Sequence, residues 1–130
     1  MVTTVKWKDE SMFISNGKNV EINGATIHTN DIGYSPVELI TSSLGLCVFI
    51  SLTKLFERDQ IEIEKEQLAV TVSASKAEGS PSRLEKFDVT VQFPTGLDNA
   101  YREKLLKSAE RACTIGNTIQ QGAKINMNQK

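Results

Sequence analysis

The fold of this chain is decided by residues 35–58, which read SPVELITSSLGLCVFISLTKLFER. Apolar side chains recur there every three or four residues, and that spacing predicts one long α-helix. Ser35 is a favoured N-cap residue and Pro36 suits the first helical position, so the helix should begin at this point. Its middle is apolar nearly all round, which indicates that several neighbours cover it. We therefore expect this helix to form the core of the fold.

The sequence before the helix predicts a small antiparallel meander. Short apolar segments alternate there with Asn-Gly dipeptides, which favour tight turns between strands. The segments are residues 12–14, 20–22 and 25–27, and the dipeptides begin at Asn16 and Asn23.

The sequence after the helix predicts a β-hairpin followed by helices. Two stretches alternate apolar with polar residues, as half-buried strands do, and a later stretch has helical spacing. The expected elements are strands at 68–74 and 87–93, a helix at 97–112, a short helix at 115–121 between a Thr114 cap and Gly122, and a last strand at 125–127. This order lacks βαβ alternation and predicts an α+β fold in a single domain, 1–130.

Composition narrows the class of protein further. The chain has 130 residues, 39% of them hydrophobic, and a formal charge of -1, so it has no cationic field for nucleic acid or anionic membranes. Its longest unbroken apolar stretch, residues 44–50, is far shorter than a membrane span of about 20 residues. The first residues lack the apolar core of a secretory signal, so we expect a cytoplasmic protein with reduced cysteines.

The two cysteines are the first candidates for chemistry. Cys47 lies in the most apolar turn of the long helix, where a cysteine often simply fills core space. Cys113 falls where one predicted helix stops and the next begins, and free backbone N–H groups there can stabilise a thiolate. Two sulfurs and the single His28 make a poor zinc set, so no metal is expected.

Two motifs resemble those of the osmotically inducible protein C and organic hydroperoxide resistance (OsmC/Ohr) superfamily. The first is Ser35-Pro36-Val37-Glu38-Leu39-Ile40 followed by Leu44-Gly45-Leu46-Cys47, and the second is Cys113-Thr114-Ile115-Gly116-Asn117-Thr118-Ile119. The predicted order of strands and helices also matches that family over essentially the whole chain.

The resemblance implies a thiol peroxidase that needs no metal, flavin or haem. In that scheme Cys47 attacks a hydroperoxide and becomes a sulfenic acid, Cys113 resolves it to a disulfide, and an external dithiol reduces the disulfide. The resemblance also implies an intertwined homodimer, with antiparallel sheets packed around the long helices and active sites near the interface.

The sequence departs from the best-characterised peroxidase branch in its charged residues. That branch has a glutamate directly after the proline and an arginine in the N-terminal strands, whereas this chain has Val37 there and no arginine before Arg58. A buried cysteine needs a cation or a donor to become a thiolate. Lys18, Arg111 and Glu38 are the candidate activating or pocket residues, although Glu38 lies about 13 Å from Cys47 along the helix and suits the helix dipole better.

Two other functions stay open at this point. The same fold could bind a small acyl or aromatic ligand, or sense oxidants, without efficient turnover. A thiol-dependent transfer or hydrolysis is a further possibility, but it needs a general base, and His28 has no neighbour in sequence to orient it.

Overall fold

The structure, a computed structural model, describes residues 1–25 and 32–130, and it divides the chain into two units, residues 1–41 and 42–130. The described residues form two small antiparallel sheets, one long helix and two shorter ones, which is the predicted α+β class. Because each unit is compact in its own right, the two are described in turn.

The first unit contains a three-stranded antiparallel meander in the order β1-β2-β3. The strands are β1 (Thr4–Lys8), β2 (Ser11–Ser15) and β3 (Glu21–Gly24). A meander was predicted, but strand β1 was missed, because its turn to β2 is made by Asp9 and Glu10 at positive φ (48° and 63°) without glycine or asparagine. The predicted strand at 25–27 was wrong for Ala25, which lies outside β3, and its other residues fall outside the described ranges.

The long helix α1 (Pro36–Arg58) begins where the sequence predicts. The backbone N–H of Glu38 donates to Ser35 Oγ at 3.2 Å, and the N–H of Ser35 donates to Glu38 Oε2 at 2.7 Å. This reciprocal pair is a capping box, which satisfies two backbone donors that the first helical turn leaves free. Glu38 therefore fixes the start of the helix, as its place in the first turn suggested.

The second unit is organised around the buried face of α1. Its core is a single cluster of apolar side chains from α1, α2 and the segments beside them. The buried members are Leu44, Val48, Leu52, Leu55, Phe56, Leu68, Leu105, Ala109 and Cys113. The α1 members recur every three or four residues, so one stripe of the helix faces this core.

The hairpin of the second unit pairs β4 (Ala69–Lys76) with β5 (Leu84–Gln92). Val70 lies opposite Val91 and Val72 opposite Val89, so one face of the hairpin is apolar. A Cβ atom added to Gly45 of α1 would lie 3.4 Å from Val72 Cγ2. The glycine therefore lets α1 pack closely on the apolar face of β4.

Helix α2 (Asn99–Ala112) joins the end of α1 through a half-buried tyrosine, Tyr101. Asp98 caps the helix, since its Oδ1 accepts the N–H of Tyr101 at 2.8 Å. Tyr101 Oη donates to Asp59 Oδ2 at 2.7 Å, and Arg58 Nε donates to Asp59 Oδ1 at 2.9 Å. Burial and the Asp59 carboxylate raise the pKa of Tyr101 to about 12. Arg58 is therefore paired at the helix end.

Two predictions about the end of the chain were wrong. The residue that caps α3 (Thr114–Gln121) is Cys113 and not Thr114, which is already helical. Residues 122–130 form no strand, and Ile125 and Met127 are 80% and 93% exposed. The alternation read there as a strand has no pairing partner among residues 1–25 and 32–130 and no buried face, and a strand needs both.

Helix α1 is also the one helix among residues 1–25 and 32–130 that is long and apolar enough to cross a membrane. The core helix of a globular domain passes the same test of length and composition. Six α1 residues are buried within the chain, including Leu52 at 0% exposure. We therefore interpret α1 as a core helix.

Candidate active site

Cys113 lies at the junction of two helices in the second unit. It is the C-cap of α2 and the N-cap of α3, with an extended backbone (φ -76°, ψ 104°). Its Sγ accepts the N–H of Gly116 at 3.2 Å, and the residue is only 2% exposed. The sulfur therefore satisfies a backbone donor of α3 that an N-cap side chain usually satisfies with oxygen.

Cys47 lies on α1, packed against the cluster that contains Cys113. It is half-buried, and both cysteines are free thiols. The Cys113 thiol and the backbone N–H groups of Ile115 and Thr114 lie close enough to the Cys47 sulfur to lower the pKa of its thiol. The two thiols are therefore neighbours in space, although 66 positions separate them in the sequence.

These surroundings favour the charged form of Cys47. Burial raises the pKa of its thiol, but the N–H of Ile115, the Cys113 thiol, the N–H of Thr114 and the charge of Lys54 lower it. The combined donors prevail, and the pKa of Cys47 lies below its ordinary value. The first turn of α3 thus supplies the stabilisation that the N-terminus of a helix offers an anion.

The surroundings of Cys113 have the opposite effect. Burial raises its pKa, and so do its hydrogen bond to Cys47 and the negative charge that Cys47 carries as a thiolate. The N–H groups of Gly116 and Ile115 lower it less, and the pKa of Cys113 remains above its ordinary value. Of the two thiols, Cys47 is therefore the one that ionises more readily.

Lys54 is a further charged side chain near Cys47 that the sequence analysis did not name as a candidate. It is exposed, and its charge is the smallest of the contributions that lower the pKa of Cys47. Seven residues separate the two positions, so they share one face of α1, about 10 Å apart along its axis. Helical side chains lean toward the N-terminus, which directs the Lys54 stem toward Cys47. The seven-residue spacing between Cys47 and Lys54 was the feature of the sequence that could have indicated this proximity.

The other predicted site residues have these positions. Lys18 lies in the first unit, in the turn between β2 and β3, where its backbone N–H donates to Asn16 Oδ1 at 2.9 Å. Glu38 belongs to the capping box, and Arg111 is exposed, with its carbonyl accepting from Asn117 Nδ2 at 3.2 Å. His28 lies outside the described residues.

A groove of about 660 Å³ runs through the second unit beside Cys113. Its walls come from α1, β5, α2 and α3 and are mostly apolar. The lining residues are Leu44, Val48, Leu84, Glu85, Lys86, Phe87, Val89, Val91, Leu106, Ala109, Glu110, Cys113, Gly116, Ile119 and Gln120. Within the described ranges, no three His, Cys, Asp or Glu side chains gather as metal ligands.

Comparison with protein families identifies the family of this chain. The family described as OsmC-like protein matches residues 28–128. That range contains both cysteines, the long helix and the hairpin. A comparison with curated protein sequences gives no match.

Solved structures show that the fold is shared with several bacterial proteins. An OsmC-like protein from Mycoplasma pneumoniae is similar with a TM-score of 0.76 at 17% identity, covering 92% of this chain and 86% of that one. An organic hydroperoxide resistance protein OsmC from Legionella pneumophila, also described as a predicted redox protein, gives 0.65 at 16% identity over 92% and 90%. The organic hydroperoxide resistance protein OhrB of Bacillus subtilis gives 0.64 at 19% identity over 92% and 91%.

Proposed function

The chain belongs to the OsmC-like protein family, and from this premise we propose that it reduces organic hydroperoxides with the thiol pair Cys47 and Cys113. Two proteins that share the fold are named for organic hydroperoxide resistance, which supports a redox role for this chain. The observation that carries the proposal is the unequal pair itself. The pKa of Cys47 is lowered, the pKa of Cys113 is raised, and each thiol contributes to the shift of the other.

The first step is attack of the Cys47 thiolate on the terminal oxygen of a hydroperoxide. The O–O bond breaks, the alkoxide leaves and takes a proton to become an alcohol, and Cys47 becomes a sulfenic acid. The N–H groups of Ile115 and Thr114 favour the thiolate form of Cys47 before this step. These donors stabilise the thiolate, which is the effect expected of a cation or a donor near a buried cysteine.

The second step is resolution by Cys113. Its sulfur attacks the sulfenic sulfur of Cys47, hydroxide leaves with the thiol proton as water, and a disulfide forms. The mutual influence of the two thiols on their pKa values supports this step, because it requires the resolving sulfur to lie near its target. A dithiol then reduces the disulfide, so a turnover consumes one hydroperoxide and one dithiol and needs no metal or other cofactor.

The partner in this proposal is a second copy of the chain. Leu46 and Ile50 on α1 are 62% and 44% exposed, and Cys47 lies directly beside them on the helix. An apolar strip next to a reactive thiol is suited to burial across a two-fold axis. Sedimentation of a 14.4 kDa chain at micromolar concentration should therefore show a dimer, and a monomer would exclude this interface.

We place the reaction in the cytoplasm because both thiols are free, and a reducing compartment keeps them so. The decisive assay measures consumption of cumene hydroperoxide and of hydrogen peroxide with dithiothreitol as reductant. We expect the organic peroxide to be consumed faster. The Cys47→Ser variant should be inactive, and parent activity no higher than this variant would refute a peroxidase.

The second candidate function is binding of a small apolar ligand or oxidant sensing on the same fold. The groove of about 660 Å³ favours it, because this volume suits a small molecule. This alternative expects slow alkylation of Cys47 and no turnover. Titration with a fluorescent fatty acid would then show saturable binding by a chain that consumes no peroxide.

A further inference from the structure

The two Asn-Gly dipeptides of the first unit lie in different surroundings. Asn16 and Gly17 lie in the exposed turn between β2 and β3, whereas Asn23 and Gly24 lie inside β3. The side-chain amide of asparagine is chemically labile, because the next backbone nitrogen can attack it and close a five-membered ring. A glycine in the next position hinders this attack least, since it has no side chain.

The turn leaves the attacking nitrogen of Gly17 accessible. The residue has φ 74°, in the left-handed region that glycine adopts readily. Among the described residues, a Cβ atom built on Gly17 would meet no atom within 4 Å beyond its chain neighbours. Within the same part of the chain, its N–H donates to no backbone carbonyl. The nitrogen is therefore free of the backbone pairing that holds a strand.

The backbone N–H of Lys18 activates the other partner of the reaction. It donates to Asn16 Oδ1 at 2.9 Å. A donor at a carbonyl oxygen stabilises the negative charge that develops there when a nucleophile adds to the carbon. The N–H of Asn16 donates to the carbonyl of Val20 at 3.4 Å, so a second hydrogen bond closes the turn around this arrangement. The turn therefore promotes attack at Asn16 Cγ.

We propose that Asn16 is a site of spontaneous modification, at which the chain converts its own side-chain amide to a carboxylate as the protein ages. The Gly17 nitrogen forms a bond to Asn16 Cγ, the Cγ–Nδ2 bond breaks, and the Gly17 amide proton leaves with Nδ2 as ammonia. Water then opens the cyclic imide. Cleavage at Cγ gives aspartate, and cleavage at the backbone carbonyl gives isoaspartate. Nothing is oxidised or reduced, and the inference does not depend on the peroxidase function.

The strand hinders the same chemistry at Asn23. Gly24 pairs with Met12 of β2 and forms a bridge with Tyr34. A Cβ atom at Gly24 would lie 3.4 Å from Met12 Cβ, and the carbonyl of Asn23 accepts the N–H of Tyr34 at 2.8 Å. Ring closure rotates the backbone between the two residues, so β3 must first open locally. Asn23 is therefore an internal control with the same dipeptide.

Conversion changes both charge and backbone length at the turn. Either product adds one negative charge to a chain whose formal charge is -1. Aspartate keeps an acceptor for the N–H of Lys18, whereas isoaspartate adds a methylene to the backbone directly after Ser15, which pairs with Glu21. Because loop length fixes the register of a hairpin, isoaspartate disturbs the pairing of β2 with β3 and aspartate does not.

The first test follows the modification in the folded parent. The protein is incubated at pH 8 and digested briefly at pH 6, where the attack is slow. Trypsin yields peptide 9–18 with Asn16 and peptide 19–54 with Asn23. We expect Asn16 to convert at least about tenfold faster than Asn23, because β3 must open first. In urea the two rates should become similar. Equal rates in the folded protein, or a difference that persists undiminished in urea, would overturn the proposal.

The second test uses matched variants. Asn16→Gln places the amide one methylene further from the backbone nitrogen, and Asn23→Gln makes the same change in the other dipeptide. Isoaspartate is measured by methyl-ester formation with an isoaspartyl carboxyl methyltransferase. We expect Asn16→Gln to abolish the signal of the aged folded protein and Asn23→Gln to leave it unchanged. The reverse pattern would place the modification at Asn23 and overturn the proposal.

The third test separates the added charge from the added methylene. Asn16→Asp carries the charge with a backbone of ordinary length. We expect hydrogen exchange of β2 and β3 to be faster in the aged isoaspartyl protein than in this variant, which should match the parent. Equal exchange in the aged protein and the variant would contradict the disturbed register.

Discussion

The surroundings of Cys47 lower the pKa of its thiol, whereas those of Cys113 raise the pKa of its thiol, although the two thiols are neighbours. Cys47 is half-buried and receives donors from the first turn of α3, so its pKa is lowered despite burial. Cys113 caps that same turn, is 2% exposed, and has the Cys47 sulfur as its neighbour, so its pKa is raised. The comparison teaches that one helix N-terminus can divide its donors between two sulfurs and so decide which one ionises.

The largest expected effect is a difference between the alkylation rates of the two thiols. In the Cys113→Ser variant only Cys47 remains, and in Cys47→Ser only Cys113 remains. We expect iodoacetamide to label Cys47 at least about tenfold faster at pH 7, because the thiolate is the reacting form and Cys113 is buried. The rate profile between pH 6 and 10 should turn below the ordinary cysteine pKa for Cys47 and above it for Cys113. Coincident profiles would show that the two surroundings do not differ.

The next prediction concerns the space around the Cys113 sulfur. A Cβ atom at position 116 would lie 3.3 Å from Cys113 Sγ, which is closer than ordinary contact. We expect Gly116→Ala to lower the free energy of unfolding by about 1–3 kcal/mol, as crowding of packed sites does, and to slow disulfide formation. Urea unfolding and the rate of disulfide formation measure these effects, with Gln120→Ala on the same helix as control. A stability equal to that of the control would contradict the contact.

A smaller effect distinguishes the cations. Lys54→Met keeps the apolar stem and removes the charge, so in the Cys113→Ser background we expect about twofold slower alkylation of Cys47 at low salt. Screening should abolish the difference near 0.5 M salt. The sequence analysis expects the same slowing from Lys18→Met, and an unchanged rate in that variant would eliminate Lys18 as an activating cation. Equal rates for Lys54→Met and its parent at low salt would exclude Lys54 as well.

The smallest effect is on stability against pH. Folding lowers the pKa of Cys47. Ionisation of this thiol therefore contributes to the free energy of unfolding above the pKa of the unfolded chain, and the contribution is lost as pH falls through the pKa of the folded chain. Folding raises the pKa of Cys113. The protonated thiol therefore contributes to the free energy of unfolding below the pKa of the unfolded chain, and the contribution is lost as pH rises through the pKa of the folded chain. Relative to a double-serine variant, Cys113→Ser should gain stability from pH 7 to 9, and Cys47→Ser should lose stability above pH 9. Urea unfolding under reductant measures both, and slopes of the same sign would reject the division of charge.

Local periodicity explains why most of the fold was predictable. The α1 stretch and the β4–β5 hairpin carry regular apolar patterns, so the sequence predicts them within three residues of their observed ends. Strand β1 was missed because its turn uses Asp9 and Glu10, which seldom adopt positive φ. The strand predicted at 125–127 had the pattern without a partner, and pairing is a long-range property.

The candidate site was predictable only in part. The resemblance identified the two cysteines, but the sequence alone did not assign the charge to Cys47. That assignment depends on which sulfur the N–H groups of Ile115 and Gly116 reach, and this is set by the angle at which α3 leaves Cys113. The influence of Lys54 was not predictable because a charged residue near a helix end is usually solvated. The groove was not predictable because its lining residues come from four separate elements.

The double capping role of Cys113 has a consequence for mutational scanning. Serine is a good N-cap residue and can replace the sulfur as acceptor for the Gly116 N–H, whereas alanine cannot. Alanine at this position should therefore cost about 1 kcal/mol of helix stability in addition to removing the thiol. An alanine scan of the chain would count that structural loss as a chemical one, and it would overstate what the sulfur of residue 113 contributes to reactivity.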